Sequence, residues 1–182
     1  MDYSNYEKVV GIIERITHGN SCCTMVISMK VENKENETIN FILTGDTTVI
    51  HNVRLRPGMR IAAFYDTSLP APAIFPPQYQ AELITALRQN QEVMLAYFDE
   101  NLEAQGQSLK LNLSPMTNIS TINGQRYACA PINMELLVYY TAERKVFLHR
   151  LHRRKLLCCV LMNKKAACMT YYLLYGKWCP VQ

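Results

Sequence analysis

Glycine and proline are scarce, at 7 and 8 of 182 residues, which excludes collagen-like repeats and low-complexity linkers. No run approaches the roughly 18 apolar residues of a membrane-spanning helix. The opening Met1-Asp2-Tyr3-Ser4-Asn5-Tyr6-Glu7-Lys8 has neither a basic region nor an apolar core, so no export signal is read and a cytoplasmic location is expected. Gly11, Gly19, Gly45 and Gly58 are isolated, so there is no phosphate-cradling loop. Histidine is rare, and neither His149 and His152 nor the adjacent pairs Cys22-Cys23 and Cys158-Cys159 have zinc-site spacing. Ser28 and Thr47 lack a nucleophile elbow or a nearby base. No metal, no cofactor and no enzymatic activity are expected.

What is present is apolar. Hydrophobic residues make up 49% and charged residues 19%, enough to bury a core and too little charge for wholesale disorder. The net charge of +4 hides a break. Residues 1–142 hold 10 Lys+Arg against 14 Asp+Glu, whereas residues 143–182 hold 9 against the single Glu143. Four of the 7 cysteines, Cys158, Cys159, Cys168 and Cys179, also crowd into that last segment. Seven cysteines without an export signal predict free thiols in a reducing compartment.

Before the break the chain reads as short strands. Lys8–Ile16 is a β-branched run, Cys23–Val31 alternates around Met25, Ile27 and Met29, and Thr38–Leu43 completes a hairpin across a polar turn. Thr47–Ile50, Arg60–Tyr65 and Gln80–Leu87 follow. Pro70, Pro72, Pro76 and Pro77 keep the connection before the last of these out of any central strand. Regularly spaced strands of this kind predict a small antiparallel barrel.

The pattern then recurs. Phe41–Thr47 corresponds to Leu111–Thr117 at an offset of seventy, and Gly58–Tyr65 to Asn133–Tyr140 at seventy-five. Val9-Val10 is echoed at Val93-Met94. Two copies of one β unit is the economical reading: residues 1–88, then an incomplete copy at 89–142, then a basic, cysteine-rich tail at 143–182.

The strings Gly45-Asp46-Thr47-Thr48-Val49-Ile50, Gly58–Asp66 and Pro70–Ala81 resemble an uncharacterised β-barrel family of clostridia, bacilli and their relatives. Its members carry a D-T-Y-V-V-D-like strand, a G-D-x-V-x-G-F-Y-D strand and a P-x-x-x-I-Y-P-P-Q-Y-x-A segment. Some stand beside a domain similar to the N-terminal domain of copper amine oxidases in exported proteins. The resemblance covers about Val9 to Tyr140 and implies a fold, two tandem OB-like barrels, rather than a reaction.

In that family the second V-Y-Y strand usually continues into a proline-rich crossover and an apolar closing strand. Here it continues into Glu143-Arg144-Lys145 and a basic stretch. Permitted codons for Lys145 to Val160, read two bases later, spell S-I-P-A-S-T-T-P-E-K-V-I-V-L-C, a peptide of the family's type. The tail is therefore read as the product of a frameshift and is expected to lie outside the fold. The competing reading is a basic amphipathic helix for RNA or an anionic membrane surface.

Candidate contact residues cluster on the family's most specific stretch: Tyr65, Asp66, Phe75, Pro76, Pro77 and Tyr79. Pro76-Pro77-Gln78-Tyr79 fits a P-P-x-Y ligand. A structural role is favoured, with the prolines stiffening the connection and Tyr79 packing on the barrel. Asp66 reads as a turn cap. OB barrels bind single strands through aromatics on the second and third strands and a basic groove. Phe41, Lys30 and Lys34 are thin material for that. The expected function is a non-catalytic binding or structural module with a protein partner; the alternative is an OB-type nucleic-acid binder.

Overall fold

A computed structural model describes residues 5–19, 21, 23–34, 37–105, 109–115 and 117–141, together with the backbone of 156–161. The chain divides into two compact units, Met1–Gln89 and Asn90–Gln182. Both are all-β, and no α-helix occurs among the described residues.

The first unit is organised by β1 (Tyr6–His18), whose β-branched residues suit a long strand. Along it Ile13 is buried while Ile12 and Glu14 face outward, the period-two pattern of a half-buried strand. Strand β2 (Met25–Val31) pairs antiparallel with β1, and β3 (Thr38–Leu43) pairs antiparallel with β2. Asn33 takes a left-handed backbone in the turn between them, at φ 64, a conformation that asparagine tolerates better than most residues. The short β4 (Thr48–Val49) leads through a single 3-10 turn to β5 (Arg60–Asp66), which lies antiparallel on the other side of β1. The core between the faces holds Ile13, Ile27, Met29, Phe41, Ile61, Ala63 and Ile84.

After β5 a proline-rich crossover leads to β6 (Gln78–Gln80), parallel to β3, and to β7 (Leu83–Ala86), antiparallel to β5 and parallel to β4. The sheet order is β4-β7-β5-β1-β2-β3-β6. This sheet is not closed into a barrel, contrary to the expectation. The reason lies at Ala81-Glu82, where the last segment stops being a strand and turns from one sheet edge to the other. Even there Ala81 donates its N–H to the Ile42 carbonyl at 2.9 Å, and Glu82 donates to Phe64 at 3.0 Å.

The second unit has one four-stranded sheet, ordered β8 (Gln91–Phe98), β10 (Met134–Thr141), β11 (Leu156–Leu161) and β9 (Asn118–Thr121). It is likewise open. Its core contains Phe98, Ala104, Leu111, Met134, Leu136 and Val138. Leu111-Asn112-Leu113, matched by the offset of seventy to the end of β3, carries no named strand, and just before it Lys110 forms an isolated bridge with Glu103.

Strand β11 lies in the segment expected to stand outside the fold. That expectation fails for Leu156–Leu161, which pair antiparallel with β10 and parallel with β9. The physical reason is ordinary: Leu156-Leu157-Cys158-Cys159-Val160-Leu161 is an apolar run of strand length. The rest of the basic tail lies outside the described residues, as does Cys22. Cys129 is disulfide-bonded, so the expectation of free thiols does not hold there.

The pairings of the two units run in parallel. β1/β5, β5/β7 and β7/β4 have the same order and strand senses as β8/β10, β10/β11 and β11/β9. Thr48 faces Leu83 as Asn118 faces Cys158. The Thr44 N–H donates to Thr47 Oγ1 at 3.0 Å, and the Ser114 N–H donates to Thr117 Oγ1 at 3.0 Å. One detail shifts: Val9 faces Ala63 while Met94 faces Val138, so the strand pairing matches Val9 to Met94 rather than to Val93.

Candidate binding site

The crossover of residues 67–77 is held at both ends. At its start Asp66 Oδ1 accepts from the Ser68 N–H at 2.8 Å and from the Ser68 hydroxyl at 2.7 Å, which is the geometry of a turn cap. The Thr67 N–H and hydroxyl donate to the Asn5 carbonyl at 3.0 and 2.8 Å. At its end the Pro77 carbonyl accepts from the Asn40 N–H at 2.8 Å. The Phe75-Pro76 peptide is cis.

An aromatic cluster lies beneath. The Tyr65 and Tyr79 rings stack at 4.3 Å with 25° between their planes, and Phe41 meets both at 6.1 and 6.2 Å. Offset and tilted ring pairs of this kind add to ordinary burial. The Tyr65 hydroxyl donates to Glu7 Oε2 at 2.8 Å. Burial first, and then the neighbouring Glu7 carboxylate, holds the Tyr65 phenol protonated well above the ordinary tyrosine range.

Of the six candidate residues, Tyr65 and Tyr79 are brought together as packing groups. Asp66 anchors the turn, and Pro76 and Pro77 are half-buried at the crossover's end. Phe75 points away from all of this. It is 94% exposed, and Ile74 and Leu69 on the same crossover are 51% and 47% exposed. Sequence reasoning named Phe75 but missed its two companions, whose signal was their place in a proline-rich stretch that can bury nothing of its own.

Two concave surfaces flank the crossover's unit. A polar groove of about 420 Å³ runs over the outer face of β1–β3, lined by Glu14, Arg15, Ser28, Thr38, Asn40 and Pro76. In it the Ser28 hydroxyl donates to Asn40 Oδ1 at 2.8 Å. At the end of the sheet where Met25 faces Leu43, a larger cleft of about 690 Å³ is lined by Ile16, Met25, Leu43, Val49, Val53 and Leu55, together with Arg54, Arg56 and Pro57.

Phe41 is fully buried, so it is not available as a stacking platform for a base. Lys34 pairs with Glu37 at 2.9 Å, Arg60 with Glu32 at 2.6 Å and Lys110 with Glu103 at 2.9 Å. No group of three or more His, Cys, Asp or Glu suited to a metal ion occurs among the described residues. Nor does any helix among them have the length and apolarity to cross a membrane. Compared with protein-family models, with curated proteins and with solved structures, the chain matches none.

Proposed function

We propose that this chain is a non-catalytic binding module, built from two related OB-like β units, that meets a protein partner through the β5–β6 crossover. The observation that carries the reading is the display of Phe75, Ile74 and Leu69 on a crossover pinned at both ends. Exposed large apolar side chains on a preorganised loop lose little entropy on binding, and aromatic anchors of this kind dominate protein interfaces. The OB-like reading draws support from the segment of residues 78–86, which runs parallel to β3 and then antiparallel to β5. The repeat reading draws support from the matched order and senses of the two sheets.

The alternative, single-stranded nucleic-acid binding, requires a positive groove with stacking aromatics. The polar groove sets one arginine against one glutamate, and the charge balance of residues 1–142 is acidic. The test places a photo-crosslinking amino acid at position 75 or, as control, at exposed Asn33, in the protein expressed in its source cells. A discrete adduct formed from position 75 alone is expected. Equal yields from both positions, or submicromolar binding of oligo-dT with a steep salt slope, overturn the proposal.

A further inference from the structure

The structure carries both an apolar projection and an apolar recess, and they lie apart. The crossover leaves the first sheet at Asp66, opposite Tyr6, and rejoins it at Gln78, opposite Asn40. The apolar cleft opens at the other end of the same strands, where His18 faces Met25 and Met25 faces Leu43. Since the crossover is pinned at both its ends, a chain cannot carry its own Phe75 into its own cleft without breaking those anchors.

We propose that the cleft receives the crossover of a second copy of this chain, so that copies join head to tail. This rests on the proposed function above and names the partner. Three features fit the pair. The cleft, at about 690 Å³, has room for the Phe75 ring together with Ile74. Apart from two arginines its lining is apolar, with Met25, which is 42% exposed, as the adaptable wall that methionine provides. Its charged groups are Arg54 and Arg56, and the crossover opposes them with no cation: residues 67–80 contain no Lys or Arg, and Asp66 precedes them. An arginine in the lining also meets the face of an inserted phenylalanine favourably.

The contact joins two different patches, so it is heterologous. Nothing in it requires closure, and repeated addition gives open chains rather than a fixed dimer. The patches are small, so association is weak, with a midpoint on the order of 10–100 μM, in keeping with interfaces at the low end of the size range.

The experiment is sedimentation velocity on the full chain across a concentration series, with two variants. Phe75→Asp destroys the projection and leaves the cleft; Met25→Asp destroys the cleft and leaves the projection. For the unmodified chain the average mass is expected to climb with concentration without a plateau. Each variant alone stays monomeric, and an equimolar mixture forms a dimer that grows no further. Val53→Asp replaces Met25→Asp if circular dichroism shows the latter unfolded. Monomer at every concentration, a plateau at dimer for the unmodified chain, or a mixture that stays monomeric each overturns the inference. Position-75 crosslinking to a different protein, combined with any of these, overturns head-to-tail joining alone and leaves the protein-binding reading standing.

Discussion

The two units share four strands in one order, yet they differ in what is laid beside the first strand. In the first unit β1 carries a full partner, β2, which carries β3 in turn. In the second unit the described residues that follow β8 make isolated bridges, Phe98 to Ala104 and Glu103 to Lys110. Gly11 registers the difference. A methyl group there would run into the Lys30 carbonyl and the Met29 side chain, because β2 passes close by. Gly11 faces Ile61 and Ala96 faces Leu136, so Ala96 holds the same register position in β8, beside which the described residues form no second full strand. The β2–β3 hairpin of the first unit thus demands its own sequence concession at Gly11.

The largest effect should come from Phe41→Ala, which empties a fully buried ring site and costs about 3–5 kcal/mol. Leu111→Ala, its counterpart under the smaller hairpin, should cost about 2–3 kcal/mol. Hydrogen exchange followed peptide by peptide in the full chain should show each loss confined to its own unit. Equal costs would erase the distinction between the full hairpin of the first unit and the bridged stretch of the second.

Next comes Val160→Pro. Strand β11 is paired on both sides, so a proline there removes a ladder hydrogen bond and costs roughly 3 kcal/mol. Protection in β8 and β10 should fall while β1 and β5 keep theirs. Unchanged protection in β10 would mean that Leu156–Leu161 contributes nothing, and would return the tail to the frameshift reading.

Gly11→Ala should destabilise the first unit by about 1–3 kcal/mol through overpacking, whereas Ala96→Gly should cost the second only about 0.5–1 kcal/mol. Urea titration of both variants checks the asymmetry, and the reverse ordering would show that β2 yields more readily than its neighbours imply. The matched turns give a finer test. Thr47 Oγ1 accepts from Thr44 and also donates to the Ala81 carbonyl at 2.7 Å, so Thr47→Ala should cost about 1–2 kcal/mol. Thr117→Ala should cost about half that.

The smallest effect is confined to alkaline solution. Tyr65 is held protonated in the fold, above its unfolded value of about 10. Its folded state therefore keeps a proton that the unfolded chain releases, and stability falls as pH rises above roughly 10. Tyr65→Phe should flatten that slope for the first unit. A slope unchanged by the substitution would assign the alkaline loss to other groups.

Much of this was legible from residue order. Alternation located β2, runs of strand length located β1, β3 and β5, and the internal correspondence carried β1 and β5 over to β8 and β10; β5 and β10 are buried on both faces, so no alternation marks them. The offset of seventy pairs Thr47 with Thr117, and each immediately precedes a short strand, β4 and β9. Three things were hidden. Strand β11 was masked by the change in charge and cysteine content around it, although its own six residues are apolar. The opening of each sheet was invisible, since alternation reports faces and not whether edges meet. The apolar cleft was hidden because Ile16, Met25, Leu43 and Val53 come from four separate stretches, brought together only by the ladder.

One consequence follows for synthesis. Residues 78–86 cover the outer edge of β3 and then the outer edge of β5, so neither edge is protected until the ribosome has released nearly the whole first unit. Its contacts are largely distant in sequence, which slows folding. During that interval two strand edges stand open in the nascent chain, a recognised hazard for misassociation. The prolines that precede β6 stay out of the strands and lengthen the stretch that must be synthesised before the covering segment emerges.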